Sequence, residues 1–175
     1  MRQISNDEFN KKYYLYKTMI YNISYTYVHN VYDADDIVQD VFMKYLNSRQ
    51  EFENEENEKY WLIRVTINTC KSLVTNGWKK KVELSNDKID RYQKDSVKNT
   101  NNKLLEIVCS LPQKYKEVIT LFYFEDISIK DISTILNVSL SSVKKRLERA
   151  RKIIIERNEE NGWFRKKAKR TKKWN

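Results

Sequence analysis

ISIKDISTILNVSLSSVKKRLERARKIII, residues 127–155, decides how this chain folds. Ser128 is placed to cap a short helix whose inward residues are Ile129, Ile132, Ile135 and Leu136. Asn137 occupies the turn, where a left-handed backbone is often needed and Asn is the best substitute for Gly. Ser139 is placed to cap a second, longer helix with a buried stripe of Val143, Leu147, Ala150 and Ile154. A capped short helix, an Asn turn and a long second helix make a helix-turn-helix. The other faces of the second helix hold Ser141, Ser142, Lys144, Lys145, Arg146, Arg149, Arg151 and Lys152. In this motif the second helix enters the major groove with its N-terminal half against base edges. Long cationic side chains there take guanine acceptors or phosphates, and serines bond either. A basic amphipathic helix alone is usually a solvated face; joined to the caps and the turn, it points to DNA.

The composition around this motif is that of an all-helical protein. The 175 residues include two glycines and one proline, so sheet corners and tight turns are poorly provided for, and a third of the residues are charged. The expected fold is all-α: two small helical domains joined by a flexible linker, the second containing the helix-turn-helix. The net charge of +10 is unevenly placed: Met1–Lys81 carries 12 basic and 11 acidic residues, whereas Leu104–Asn175 carries 17 and 9. The positive field belongs to the C-terminal part, as expected of a part that meets a polyanion.

Several function classes are excluded. Cys70 and Cys109 are isolated, with His29 the one histidine, so neither a metal site nor a disulfide framework is expected. Gly77 and Gly162 cannot build a P-loop or a dinucleotide fingerprint. His29, beside a run of tyrosines, reads as a packed or exposed side chain rather than a general base. No catalytic residue and no cofactor are expected. The stretch MRQISNDEFN has no apolar signal core, and no apolar run approaches the ~18 residues of a membrane span. Cytoplasmic location without membrane insertion is the expectation.

Working outward, the first domain is expected over 7–81. Phe9, Tyr13, Tyr16, Ile20, Ile23 and Tyr27 recur at helical spacing. Asp33 reads as the N-cap of the next helix, whose stripe is Ala34, Ile37, Val38, Val41, Phe42, Tyr45 and Leu46, opposite Asp35, Asp36, Gln39, Asp40 and Met43. Residues 47–58, polar and acidic, read as a loop before a helix from Lys59 to about Asn76. There Trp61, Leu62, Val65, Thr69 and Leu73 are the expected buried side, with Arg64, Asn68, Lys71 and Thr75 opposite. Residues 82–102, rich in Asn, Asp, Lys and Ser, read as the linker. The second domain is expected over 103–157: Leu104, Ile107, Val108 and Leu111 form a stripe ended by Pro112, and Val118, Ile119, Leu121 and Phe122 form another. Residues 158–175 are a basic tail with seven cations between Arg165 and Lys173.

Three segments, DADDIVQDVFMKYL (33–46), YWLIRVTINTCKSLV (60–74) and LPQKYKEVITLFYFEDISIKDISTILNVSLSSVKKRLERARKII (111–154), resemble in order the helices of extracytoplasmic-function sigma factors of bacterial RNA polymerase. The resemblance covers most of both domains. It implies that 7–81 is the family's region 2 and 103–157 its region 4. The implied partners are core RNA polymerase, through its β′ clamp helices and β flap, and promoter DNA, both duplex and single-stranded; an anti-sigma protein is compatible with the family.

The resemblance also implies residue roles. Asp36, Gln39 and Asp40 match positions that dock on the clamp helices. Arg64, Asn68 and Lys71 match the −10 element reader, where Asn reads a base edge and the cations, with Lys79, Lys80 and Lys81, hold phosphates. Phe52 precedes that helix in the loop where the family grips a flipped base, and either stacks on a base or packs the loop. Glu51, Glu53, Glu55, Glu56 and Glu58 either read an exocyclic amine or favour the N-terminus of the following helix. Lys144, Lys145 and Arg149 match positions facing −35 bases, with Ser142 and Arg146 nearer phosphates, and Ser141 joins them. The competing readings are a free-standing helix-turn-helix regulator, which would be a dimer on two half-sites, and a helical protein–protein adaptor.

Overall fold

The computed structural model describes residues 5–81 and 101–157, and side chains over 5–75 and 105–157. All regular structure among them is helical: α1 (Asn6–Val28), α2 (Val31–Asn47), α3 (Glu55–Lys81), α4 (Asn101–Cys109), α5 (Gln113–Ile119), a π-helix (Thr120–Phe124), α6 (Ile129–Leu136) and α7 (Leu140–Arg157). The chain divides into two compact units. The second begins its first helix at Asn101, two residues before the expected Lys103. The rest of the expected linker and the basic tail 158–175 lie outside the described residues, as do the side chains of Lys79, Lys80, Lys81 and Leu104.

In the N-terminal unit α1, α2 and α3 pack on one another. Ser5 caps α1 by accepting from the Glu8 N–H at 3.2 Å. His29, left-handed at φ 54°, ends it by donating its backbone N–H to the Tyr25 carbonyl. The N-cap of α2 is Asn30, whose side chain accepts from the N–H groups of Tyr32 and Asp33, so Asp33 lies inside the helix rather than at its cap. Asn is as good a cap as Asp, and the earlier one wins because the left-handed His29 already turns the chain. The expected stripe of α2 is buried from Ala34 to Tyr45, with Leu46 half-buried.

α3 starts at Glu55, four residues before Lys59, capped by Asn54, whose side chain accepts from the Asn57 N–H at 2.8 Å. Its buried side is also rotated from the expected one. Leu62 and Thr69 are buried, but Trp61 and Val65 are half-buried and Leu73 is 43% exposed; Ile63, Thr66, Ile67 and Cys70 complete the core instead. The inward face of α3 is wide and partly polar, with Thr66, Thr69 and Cys70 buried in it. Thr66 and Thr69 are tolerated there because their hydroxyls donate to the Leu62 and Val65 carbonyls at 2.7 and 2.8 Å.

In the C-terminal unit α4, α5 and α7 pack together around Val108, Val118, Ile119, Leu147, Ala150 and Ile154. Pro112 precedes α5, its carbonyl accepting from the Tyr115 and Lys116 N–H groups. The π-helix follows directly, closed by the Glu125 N–H on the Thr120 carbonyl at 3.2 Å, and it buries Leu121 and Tyr123 while leaving Phe122 half-buried.

Candidate nucleic-acid and polymerase interfaces

The helix-turn-helix is built by local chemistry. Ser128 and Asp131 cap each other: the Ser128 hydroxyl accepts the Asp131 N–H at 3.1 Å and donates to the Asp131 carboxylate. α6 ends at Asn137, left-handed at φ 52°. Ser139 then caps α7, accepting the Ser142 N–H at 3.2 Å and lying 3.1 Å from the Ser141 hydroxyl. Val143, Leu147, Ala150 and Ile154 are all buried.

That stripe fixes what α7 presents outward. Ser141, Lys144, Lys145, Arg149 and Lys152 are exposed, and Ser142, Arg146 and Arg151 are half-buried. The cations fall into two sets. Arg151 donates to the Tyr123 hydroxyl at 2.6 Å and stands over the Phe122 and Tyr123 rings, and Arg157 donates to the Ser110 hydroxyl at 2.7 Å. Arg149 hydrogen-bonds the Tyr115 side chain and so holds that phenol below its ordinary range. Lys144, Lys145 and Arg146 remain on the N-terminal half of the helix, the half that this motif turns to bases. Sequence reasoning overlooked Leu140, the first residue of α7, an apolar side chain that is 43% exposed.

On the N-terminal unit, Asp36, Gln39 and Asp40 are exposed along one stripe of α2, with Met43, 56% exposed, one turn further on. Arg64, Asn68, Lys71 and Thr75 are exposed on α3 at spacings of four, three and four, hence on one face. Beside Arg64 lies an open depression of roughly 250 Å³ lined by Gln50, Glu51, Phe52, Glu53, Asn57 and Trp61. Phe52 is half-buried, its ring parallel to Tyr45 (6.4 Å between centroids, 7°) and tilted edge-on to Trp61 (5.6 Å, 61°). It therefore packs the loop and borders the depression at once.

The acidic run divides by position. Glu55, Glu56 and Glu58 occupy the first turn of α3, where the helix dipole favours them. Glu55 pairs with Lys12 at 3.3 Å, and Glu56 accepts from the Tyr60 hydroxyl at 2.7 Å. Glu58 lies inside the core, on Lys12 at 2.7 Å. Glu51 and Glu53 alone of the five line the depression.

No group of three or more metal-ligating side chains occurs among the described residues, and none of their helices is long and apolar enough to cross a membrane.

Comparison with known proteins places the chain in a family. The model of sigma-70 region 2 matches residues 13–80 and that of sigma-70 region 4 matches 101–154. RNA polymerase sigma factor SigV of Bacillus subtilis is 32% identical over 143 residues, which is 79% of this chain and 84% of that protein. The extracytoplasmic-function factor SigW of the same organism is 26% identical, over 80% of this chain and 83% of its own. Among solved structures, Bartonella quintana RpoE, determined in complex with the anti-sigma factor NepR, shares the fold with a TM-score of 0.71 at 21% identity, over 88% of this chain and 98% of that one. The chain belongs to the extracytoplasmic-function sigma factors, and as an alternative sigma factor it binds core RNA polymerase and promoter DNA and initiates transcription. A free-standing regulator or an adaptor accounts for neither the region 2 match nor its order before region 4.

Proposed function

We propose that the chain works in the cytoplasm as a non-catalytic initiation subunit whose two units divide promoter recognition between them, over 7–81 and 103–157. Asp36, Gln39 and Asp40 dock on the β′ clamp helices, and the C-terminal unit meets the β flap. Arg64, Asn68 and Lys71 hold the −10 element as it separates, while Phe52 offers a face to an unpaired base; stacking of this kind is worth about 1–3 kcal/mol per base. Ser141, Ser142, Lys144, Lys145, Arg146 and Arg149 read and hold the −35 duplex. An anti-sigma protein completes the set of partners, since RpoE, a fold neighbour, is held by one.

The observation that carries this reading is the exposed cationic face of α7, presented by a buried stripe, two serine caps and a left-handed Asn137. Run-off transcription with purified bacterial core polymerase on a genomic promoter library tests the function and yields the target motif; no initiation from any fragment would end it. At residue level, Arg149→Ala is expected to cost about 1–3 kcal/mol on cognate promoters and little on random DNA. Tyr115→Phe removes the hydrogen-bond partner of Arg149 without touching DNA, and so separates base reading from packing within the unit. An equal loss on both DNAs would reassign Arg149 to phosphate.

A further inference from the structure

Glu58 is 2% exposed, a carboxylate in the core of a small three-helix unit. A buried charge costs several kcal/mol unless it is paired and hydrogen-bonded, and apolar residues of like size often serve stability as well. Here the pairing is complete enough to join three helices. Lys12 of α1 stands 2.7 Å from Glu58 Oε2, Tyr16 of α1 donates to the same oxygen at 3.3 Å, and Tyr45 of α2 donates to Oε1 at 2.5 Å. Burial and the Glu58 charge push the Tyr16 phenol up to about 12. Burial alone would lower Lys12, but the Glu58 hydrogen bond and charge outweigh it and hold the ammonium above its ordinary value. Both donors therefore keep their protons at neutral pH.

What this network fixes is Tyr45. Its side chain is wholly buried, and its ring lies parallel to Phe52 and 6.2 Å from Trp61. Phe52 and Trp61 border the depression beside Arg64. A ring already held in place loses less freedom when a base stacks on it than one that must first be ordered.

We propose that Glu58, anchored by Lys12, is a positioning residue for promoter opening: by holding the Tyr45 hydroxyl it sets Phe52 and Trp61 as a ready platform for one unpaired base. This rests on the reading of the depression as part of the −10 site. It explains why a charge is kept in a core where an apolar residue would pack.

The test uses holoenzyme made from the full chain and core polymerase, on a promoter found by run-off transcription and carrying 2-aminopurine in its −10 element. Core affinity, the rate of opening and the 2-aminopurine signal are compared for Tyr45→Phe, Glu58→Gln, Phe52→Ala and Trp61→Ala. Tyr45→Phe, which deletes one hydroxyl, is expected to slow opening about tenfold, the worth of a hydrogen bond to a charged group, with core affinity unchanged. Glu58→Gln keeps an acceptor for Tyr45 and should fall between Tyr45→Phe and the wild type. If Glu58→Gln does not fold, Tyr45→Phe decides. Slow opening in Phe52→Ala with a normal rate in Tyr45→Phe overturns the positioning role while leaving the platform standing. Normal opening in both Phe52→Ala and Trp61→Ala overturns the platform and this inference with it. A fall in core affinity and opening together in Tyr45→Phe also overturns it, since a purely structural loss behaves that way.

Discussion

Cys70 and Cys109 are free thiols whose surroundings disfavour the thiolate: burial pushes Cys70 up to about 12 and Cys109 up to about 11. Because the thiolate is the reactive form, iodoacetamide at about pH 8 should label neither in the folded protein while labelling both in urea, read by mass spectrometry. The same burial sets a pH dependence. Cys70 keeps its proton more tightly folded than at its ordinary value of 9.0, so its contribution is fully present below that value and is lost as pH rises towards about 12. Tyr16, raised from 10.0 to about 12, and Lys12, raised from 10.5, act in the same direction at higher pH. The urea midpoint should hold steady up to about pH 9 and then fall, and Cys70→Ala should reduce the first part of that fall, leaving the share of Cys109; a midpoint rising with pH would contradict it. The inward place of Glu58 was missed because five glutamates within eight residues look alike and the expected helix began at Lys59, although Glu58 lies three and four residues before Trp61 and Leu62 on the same stripe. A clue existed in Tyr45: a buried phenol needs a partner for its hydroxyl, and its own stripe offers none.

Elements with a clean period were legible, and their ends were less so. The stripes of α2 and α7 are apolar at nearly every inward position, so spacing alone predicts them. α3 buries Thr66, Thr69 and Cys70 beside Leu62, Ile63 and Ile67, so apolar spacing alone misplaces its inward face and Leu73 lies outside it. Its start is masked by the acidic run, although Asn54 was a readable cap. The π-helix was not legible, since its longer hydrogen-bonded turn shifts burial from Phe122 to Tyr123. Caps and turn in the helix-turn-helix carry their own prediction. Ser128→Ala should destabilise the C-terminal unit by about 1 kcal/mol through the lost cap. Asn137→Gly should be neutral or slightly stabilising and Asn137→Ala destabilising, because Ala is disfavoured at positive φ. Thermal melts of the full chain check both; equal effects of Gly and Ala would mean that the backbone geometry at 137 is not what matters.

For the whole molecule, the order of the segments told more than any one of them. A helix-turn-helix is common to many DNA-binding proteins, whereas an acidic-faced helix, a basic-faced helix and then that motif define one family. Docking is the step the acidic face is expected to control. Asp40→Lys reverses an exposed charge on a surface position, where substitutions usually stay within about 0.5 kcal/mol of neutral for folding. Core polymerase affinity should drop while circular dichroism and the melting temperature stay unchanged; undiminished affinity would remove α2 from the docking surface. The tethering of Arg151 and Arg157 to the hydroxyls of Tyr123 and Ser110 has a consequence for this unit's response to salt. Only cations that reach phosphates displace condensed ions from the duplex, each steepening the logarithmic dependence by about 0.9. Titrating potassium chloride against upstream-element binding should therefore give a gentler slope than the arginines and lysines of α7, simply counted, would imply.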